Sequence, residues 1–234
     1  MVVMTIGGLH IKNFIERIQD SGEDDIELIS KLVNSLLKML NLDKETVLDI
    51  VRLFFLLKEK EHQLSLFSVI SCLSKLSEKK DIREILVRDT PFMSSVLEMA
   101  LDLNSGVRIW RKTAFMLAVL LKPDTLVLES SYYQDEVNLQ RSIDAIVRLL
   151  LTKDVFGEMV TTPLLSLSYL DGNTKMSSYI VAEHFKVFEI HRDEILGVPC
   201  ILAKYQNMFQ RVVDTSPDEI GEEKLSKINS IRSV

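Results

Sequence analysis

The 234-residue chain reads as an all-α protein whose helices stack as repeats into an α-solenoid, and three features of the sequence predict this. The apolar residues, 47% of the total, are mainly Leu, Ile and Val, while eight glycines and five prolines supply too few turns for a sandwich or barrel of short strands. Apolar positions recur at alternating spacings of three and four over long stretches, the period of one helix face. Two segments, Ile70–Leu76 (ISCLSKL) and Ala114–Leu120 (AFMLAVL), set a small or apolar residue and two leucines at the same spacing, 44 residues apart.

Residues 1–42 are expected to form N-terminal cap helices. After IKNFIERI, Asp24 and Glu27 stand three apart ahead of an apolar series, the reciprocal capping pattern of a helix start, and Ile29, Leu32, Leu36 and Leu40 then follow one face. Asp43 leads into TVLDIVRLFFLL, apolar on nearly every side, which demands neighbours on both flanks. KEKEH, 58–62, is a polar break before QLSLFSVISCLSKL resumes the helical pattern. Asp81 and Glu84 repeat the capping pattern at the head of a short helix over 82–88. Thr90-Pro91 opens a middle helix over 91–103, with Thr as cap and Pro in the first position, where its missing N–H costs nothing. Asn104-Ser105-Gly106 stops it. A long helix over 106–121 carries the single tryptophan. Val107, Trp110, Ala114, Leu117 and Leu121 make its buried stripe, and Arg108, Arg111 and Lys112 lie in the first two turns with their stems along the apolar edge.

Lys122–Asn138 (KPDTLVLESSYYQDEVN) reads as a long inter-repeat loop containing a brief β-like TLVLE. A degenerate copy from SIDAIVRLLL to LLSLSYL follows, in which Pro163 is expected to break the long helix. NTKMSSYIVAEHFKVFEI, and GVPCILAKYQNMFQRVV with Pro199 in its first turn, complete 139–213. Residues 1–213 are thus expected to form one domain, with the best repeats at 43–121. Residues 214–234 are polar and read as a frayed tail or a short amphipathic helix docking through Leu225, Ile228 and Ile231. Cys72 and Cys200, each inside an apolar run, are expected to be reduced and buried.

The stretch DIREILVRDTPFMSSVLEMALDLNSGVRIWRKTAFMLAVLL, three helices in about 42 residues, resembles an armadillo repeat. With the preceding copy the resemblance covers 47–121, and more loosely 26–205; HEAT arrays share its periodicity. It implies a right-handed α-solenoid acting as a non-catalytic scaffold or adaptor that receives a partner protein or peptide along the surface of its third helices. The family's peptide carriers place an asparagine one residue before the last Leu of AxxLxNL. The matching positions here hold Lys75, Val119 and, in the degenerate copy, Tyr169, so nuclear-signal transport is not implied. Lys75, Arg108, Arg111, Lys112, Phe115 and Val119 would line or flank the same groove. Such a cationic, partly apolar groove suits an acidic amphipathic segment even on a chain of net charge −6. Tyr132 and Tyr133, adjacent aromatics that cannot both turn inward easily, are a second candidate contact, with packing of their loop against a neighbouring helix as the equal alternative.

Catalytic motifs are absent from the sequence: there is no glycine-rich phosphate loop, HExxH, paired CxxC or GxSxG, and no cofactor or metal is expected. His184 and His191, seven apart on one continuous helix, would stand roughly 10 Å apart, too far for one ion with bonds of ~2.0 Å. They are read as solvated. The acidic charge repels nucleic acid and anionic headgroups, no apolar run reaches the ~18 residues of a membrane span, and the opening lacks the layout of a secretory signal. These features predict an intracellular protein, cytoplasmic or nuclear. The competing readings are a chaperone cofactor embracing an Hsp70-type nucleotide domain, an enzyme with an unfamiliar site, and a nucleic-acid-binding repeat. End repeats with uncovered apolar flanks would also pair two copies into a homodimer.

Overall fold

A computed structural model describes residues 43–59, 61, 63–122, 130–215 and 220–232, together with 12, 13, 15 and 16. The helix starts expected within 17–42, the β-like TLVLE and the side chain of Ile231 lie outside the described residues. Among those residues the fold is all-α, with thirteen α-helices, two 3₁₀ turns and no strand. The chain divides into two compact units, Met1–Leu120 and Leu121–Val234.

Unit 1 begins with α1 (Lys44–Glu59) and α2 (Gln63–Leu76). Asp43 starts α1 by accepting the Thr46 N–H at 2.8 Å, and hydrogen bonds from the Thr46 hydroxyl and amide hold its carboxyl below the usual carboxylate range. Val47, Ile50, Val51, Leu53, Phe54 and Leu57 of α1 are buried, spread over more than one face. Next come α3 (Lys80–Arg88), α4 (Thr90–Leu101), a 3₁₀ turn (Leu103–Ser105) and α5 (Val107–Leu120). These are the short, middle and long helices that the sequence predicts, with shifted starts. The Asp81–Glu84 capping pair does not form: Lys79 is the cap residue, no side chain bonds there, and Glu84 faces Lys80 at 3.8 Å. Asp89 caps α4 instead of Thr90, its Oδ1 accepting the Phe92 N–H at 2.9 Å, which moves Pro91 to the second helical position. Gly106 joins the 3₁₀ turn to α5 at φ +87°, where an L side chain is strained.

The two helix pairs lie one on the other. Phe54 of α1 meets Phe92 of α4 edge-to-face at 5.3 Å, and Lys58 Nζ reaches Ser95 Oγ at 2.6 Å and Glu98 at 3.3 Å. α2 and α5 pack along each other and begin at the same end: a β-carbon at Gly106 would stand 3.9 Å from Gln63 Oε1.

Unit 2 contains α6 (Ser131–Gln134), α7 (Glu136–Leu150), α8 (Glu158–Ser168), a 3₁₀ turn (Tyr169–Gly172), α9 (Thr174–Glu183), α10 (Lys186–Ile190), α11 (Arg192–Gly197), α12 (Pro199–Thr215) and α13 (Glu222–Arg232). Helix therefore begins inside the expected loop, because Ser130 caps α6 and Asp135 caps α7 through the Val137 and Asn138 amides. Pro163 does not break α8. It removes the one N–H that would bond Met159 in the first turn, while burial of Val160, Leu164 and Leu167 holds the rest. The continuous helix expected over 173–190 ends at Glu183, and the chain turns at His184 before α10. Within the tail Glu222–Arg232 is helical: Ile228 is fully buried, Leu225 half-buried, and α13 packs on α12.

One length recurs in the tertiary contacts of both units. The bonds from Lys58 to Ser95 and Glu98 span 37 and 40 residues. In unit 2, Glu136–Lys175, Asp144–Tyr179, Asp144–His184, Leu150–His191, Leu164–Tyr205, Gly172–Arg211, Ala182–Lys224 and Glu189–Lys227 span 35 to 42.

Candidate partner-binding surface

The cations singled out in the sequence do start α5. Arg108 is exposed, Arg111 and Lys112 are half-buried, and Lys112 Nζ sits 5.0 Å from the Phe115 ring centroid, a cation–π contact that fixes its stem. Trp110 is buried, as are Ala114, Leu117 and Leu121, so the ring belongs to the core with the cations at its rim. Val107 departs from the expected stripe. As the first residue of α5 it overhangs the packed part of the helix and is 57% exposed. Leu103, in the turn before it, is 56% exposed, and Leu64, beside Gln63 at the adjoining start of α2, is 68% exposed. Three uncovered aliphatic side chains and an exposed arginine thus gather at one end of unit 1.

The remaining predicted contacts do not join them. Phe115 and Val119 are buried, 6% and 1% exposed, because neighbouring helices cover α5 on the face that the groove reading left open. Lys75 is exposed but lies near the far end of α2, about 18 Å from Gln63 at 1.5 Å per residue. Tyr132 and Tyr133 are both buried, the packed alternative rather than the contact surface. The one-turn α6 sets successive side chains about 100° apart, so two neighbours fit within one inward arc. Tyr132 donates to Ser142 Oγ at 2.8 Å, and Ser142 donates onward to the Asn138 carbonyl at 2.7 Å. Burial pushes the phenols of Tyr132 and Tyr133 up to about 12.

A polar cluster absent from the sequence reading appears in unit 2. Asp144 Oδ1 on α7 accepts from the Tyr179 hydroxyl of α9 at 2.7 Å and from His184 Nε2 at 2.9 Å, and the Tyr179 and His184 rings meet edge-to-face at 5.1 Å. Burial, followed by the Asp144 carboxylate, pushes the Tyr179 phenol up to about 12. Tyr179 and His184 lie 35 and 40 residues from Asp144, and no local motif announces such a pairing.

The histidines are therefore not a solvated pair. His184 has turned out of its helix to meet Asp144. His191 is buried, its Nε2–H donating to the Leu150 carbonyl at the end of α7 at 2.8 Å and its Nδ1 3.6 Å from Glu194. Among the described residues no group of His, Cys, Asp and Glu could hold a metal ion. Cys72 is buried as expected, but Cys200 is exposed, because the second residue of α12 precedes the buried face that begins at Ile201. No helix of the described residues is long and apolar enough to cross a membrane. Compared with protein-family models, curated proteins and solved structures, the chain matches none.

Proposed function

We propose that the chain is a non-catalytic scaffold of stacked, armadillo-like helical repeats that takes a partner protein on the open end of unit 1. The observation that carries this reading is the group of exposed aliphatics Leu64, Leu103 and Val107 beside exposed Arg108, where two helices of the paired layers begin together. Uncovered apolar side chains rimmed by a cation are the usual makings of a protein contact. The fitting partner is an acidic amphipathic segment. Its apolar side rests on the three aliphatics and its carboxylates face Arg108 and the amide end of α5. Exposed Glu61 and Asp102 lie at the same end, so those carboxylates belong on the α5 side of the patch.

Stacking is supported by the recurring 35 to 42 residue separation, as expected when each repeat touches its neighbours. An enzyme reading would rest on Asp144, Tyr179 and His184, but neither residue bonded to or stacked on His184 is an activated nucleophile. The test is affinity capture from the native source with the full chain and with a Val107→Asp, Arg108→Glu variant of unchanged helical circular dichroism. The proposal expects a protein retained in stoichiometric amount by the wild type and lost by the variant. Equal capture by both would refute this surface.

A further inference from the structure

The connection from α7 to α8 carries the most exposed large apolar side chain among the described residues, Phe156, at 76%. Its backbone is fixed on both sides. Thr152 Oγ1 donates to the Arg148 carbonyl at 2.8 Å, Val155 is buried, and the Met159 N–H donates to the Phe156 carbonyl at 3.3 Å. Two residues of this short loop have left-handed backbone, Asp154 at φ +64° and Gly157 at φ +59°. For Asp154, which has a β-carbon, that conformation costs energy. The fold thus sustains a strained turn that faces an aromatic ring to water.

Phe156 has apolar company. Leu151, the residue that ends α7, is exposed, and so is Ile190 at the end of α10. Ile190 is brought to that end of α7 because the next residue, His191, donates to the Leu150 carbonyl at 2.8 Å. Carboxylates prevail around these three side chains: Asp154, Glu158, Asp193 and Glu194 are exposed, against Lys153 and Arg192. Residues 151–158 are therefore an acidic segment with an apolar side, the chemistry proposed above for the partner of the α5 end, carried on the chain itself. The α5 end offers the complement: exposed Leu64, Leu103 and Val107, exposed Arg108, half-buried Arg111 and Lys112, and the positive end of the α5 dipole.

We propose that copies of this chain associate head to tail, the open end of unit 1 in one copy receiving the 151–158 loop of unit 2 in another. Phe156 packs on Leu64, Leu103 and Val107, while Asp154 and Glu158 face Arg108. The contact joins two different patches. Charge selects this pairing, because loop against loop would set carboxylates together and α5 end against α5 end would set cations together. The loop is already held in shape, so docking removes little conformational freedom. The inference rests on the α5-end reading and names a second copy as its partner.

Light scattering of the full chain over rising concentration is the test. Wild-type mass should climb from the 26.8 kDa of one chain, and about 0.5 M salt should reduce the climb. Arg108→Glu and Phe156→Asp should each weaken association at least about tenfold. An equimolar mixture of the two variants should recover a complex with one copy of each, since the first keeps its loop and the second its α5 end. If Phe156→Asp loses helical circular dichroism, Phe156→Ser is read with the same expectations. A wild-type mass fixed at one chain up to about 1 mM, undiminished association of Phe156→Asp, or a mixture that recovers no complex overturns the proposal. A wild type that stays single yet captures a protein of another sequence, lost in the Val107→Asp, Arg108→Glu variant, overturns the second-copy partner and leaves the α5 surface standing. One that stays single and captures nothing refutes both.

Discussion

Tyr205 shows how one side chain ties two helices, its hydroxyl donating to the Leu164 carbonyl at 2.7 Å inside a cluster with Phe188 and Phe209. Full burial drives its phenol far above the ordinary tyrosine range, and burial takes Tyr132 and Tyr133 up to about 12. The unfolded chain ionises its tyrosines near pH 10, so between about pH 10 and 12 the folded state holds more protons than the unfolded one. The stabilisation from these groups is complete below pH 10 and is lost as pH rises through the folded values. In a Tyr169→Phe variant, which leaves the four raised phenols, tyrosinate absorbance and circular dichroism recorded together on raising the pH should change in one transition above pH 10. Phenol ionisation near pH 10 in that variant with the helices intact would contradict these burials. The sequence announced the core role of Trp110 and Cys72 through the apolar runs around them. It left Tyr132 and Tyr133 open and misplaced Cys200, because inward or outward orientation there depends on where a helix begins, to within one residue.

Among the elements, the periodic apolar runs located the main helices, and the errors fell at their ends. At α4 the chain offered Asp89 and Thr90 as successive capping residues, and the first wins through its bond to the Phe92 amide. At His184 a helical pattern continued where the chain turns, because His184 bonds to Asp144 40 residues away, a tertiary gain invisible to local periodicity. Between α1 and α4 the Phe54–Phe92 contact is the principal aromatic link. Phe54→Ala should destabilise by about 3–5 kcal/mol. In a double-mutant cycle Phe54→Leu and Phe92→Leu should couple by about 0.5–1.5 kcal/mol, read from urea unfolding midpoints. Strict additivity would show that the two rings do not meet.

Across the molecule, the all-helical class and the 44-residue echo between α2 and α5 were legible in the sequence, and in the structure those two helices lie side by side. The polar links were not legible, since Lys58–Glu98, Glu136–Lys175 and Glu189–Lys227 join residues with no shared local pattern. Of the proposed contact surface, Arg108 was legible as a rim cation. The exposed Leu64, Leu103 and Val107 were not, because leucine or valine in a helical run reads as core until the neighbouring helices are placed. The proposal of stacked repeats stands on the common separation of these links. Zero-length carbodiimide cross-linking of the native chain, read by mass spectrometry, tests it most directly. Lys227 should join Glu189 as well as its helix neighbour Glu223, and Lys58–Glu98 and Lys175–Glu136 should dominate the products of Lys58 and Lys175, each at the recurring separation. Cross-links from Lys58 and Lys175 chiefly to carboxylates at unrelated separations would contradict it.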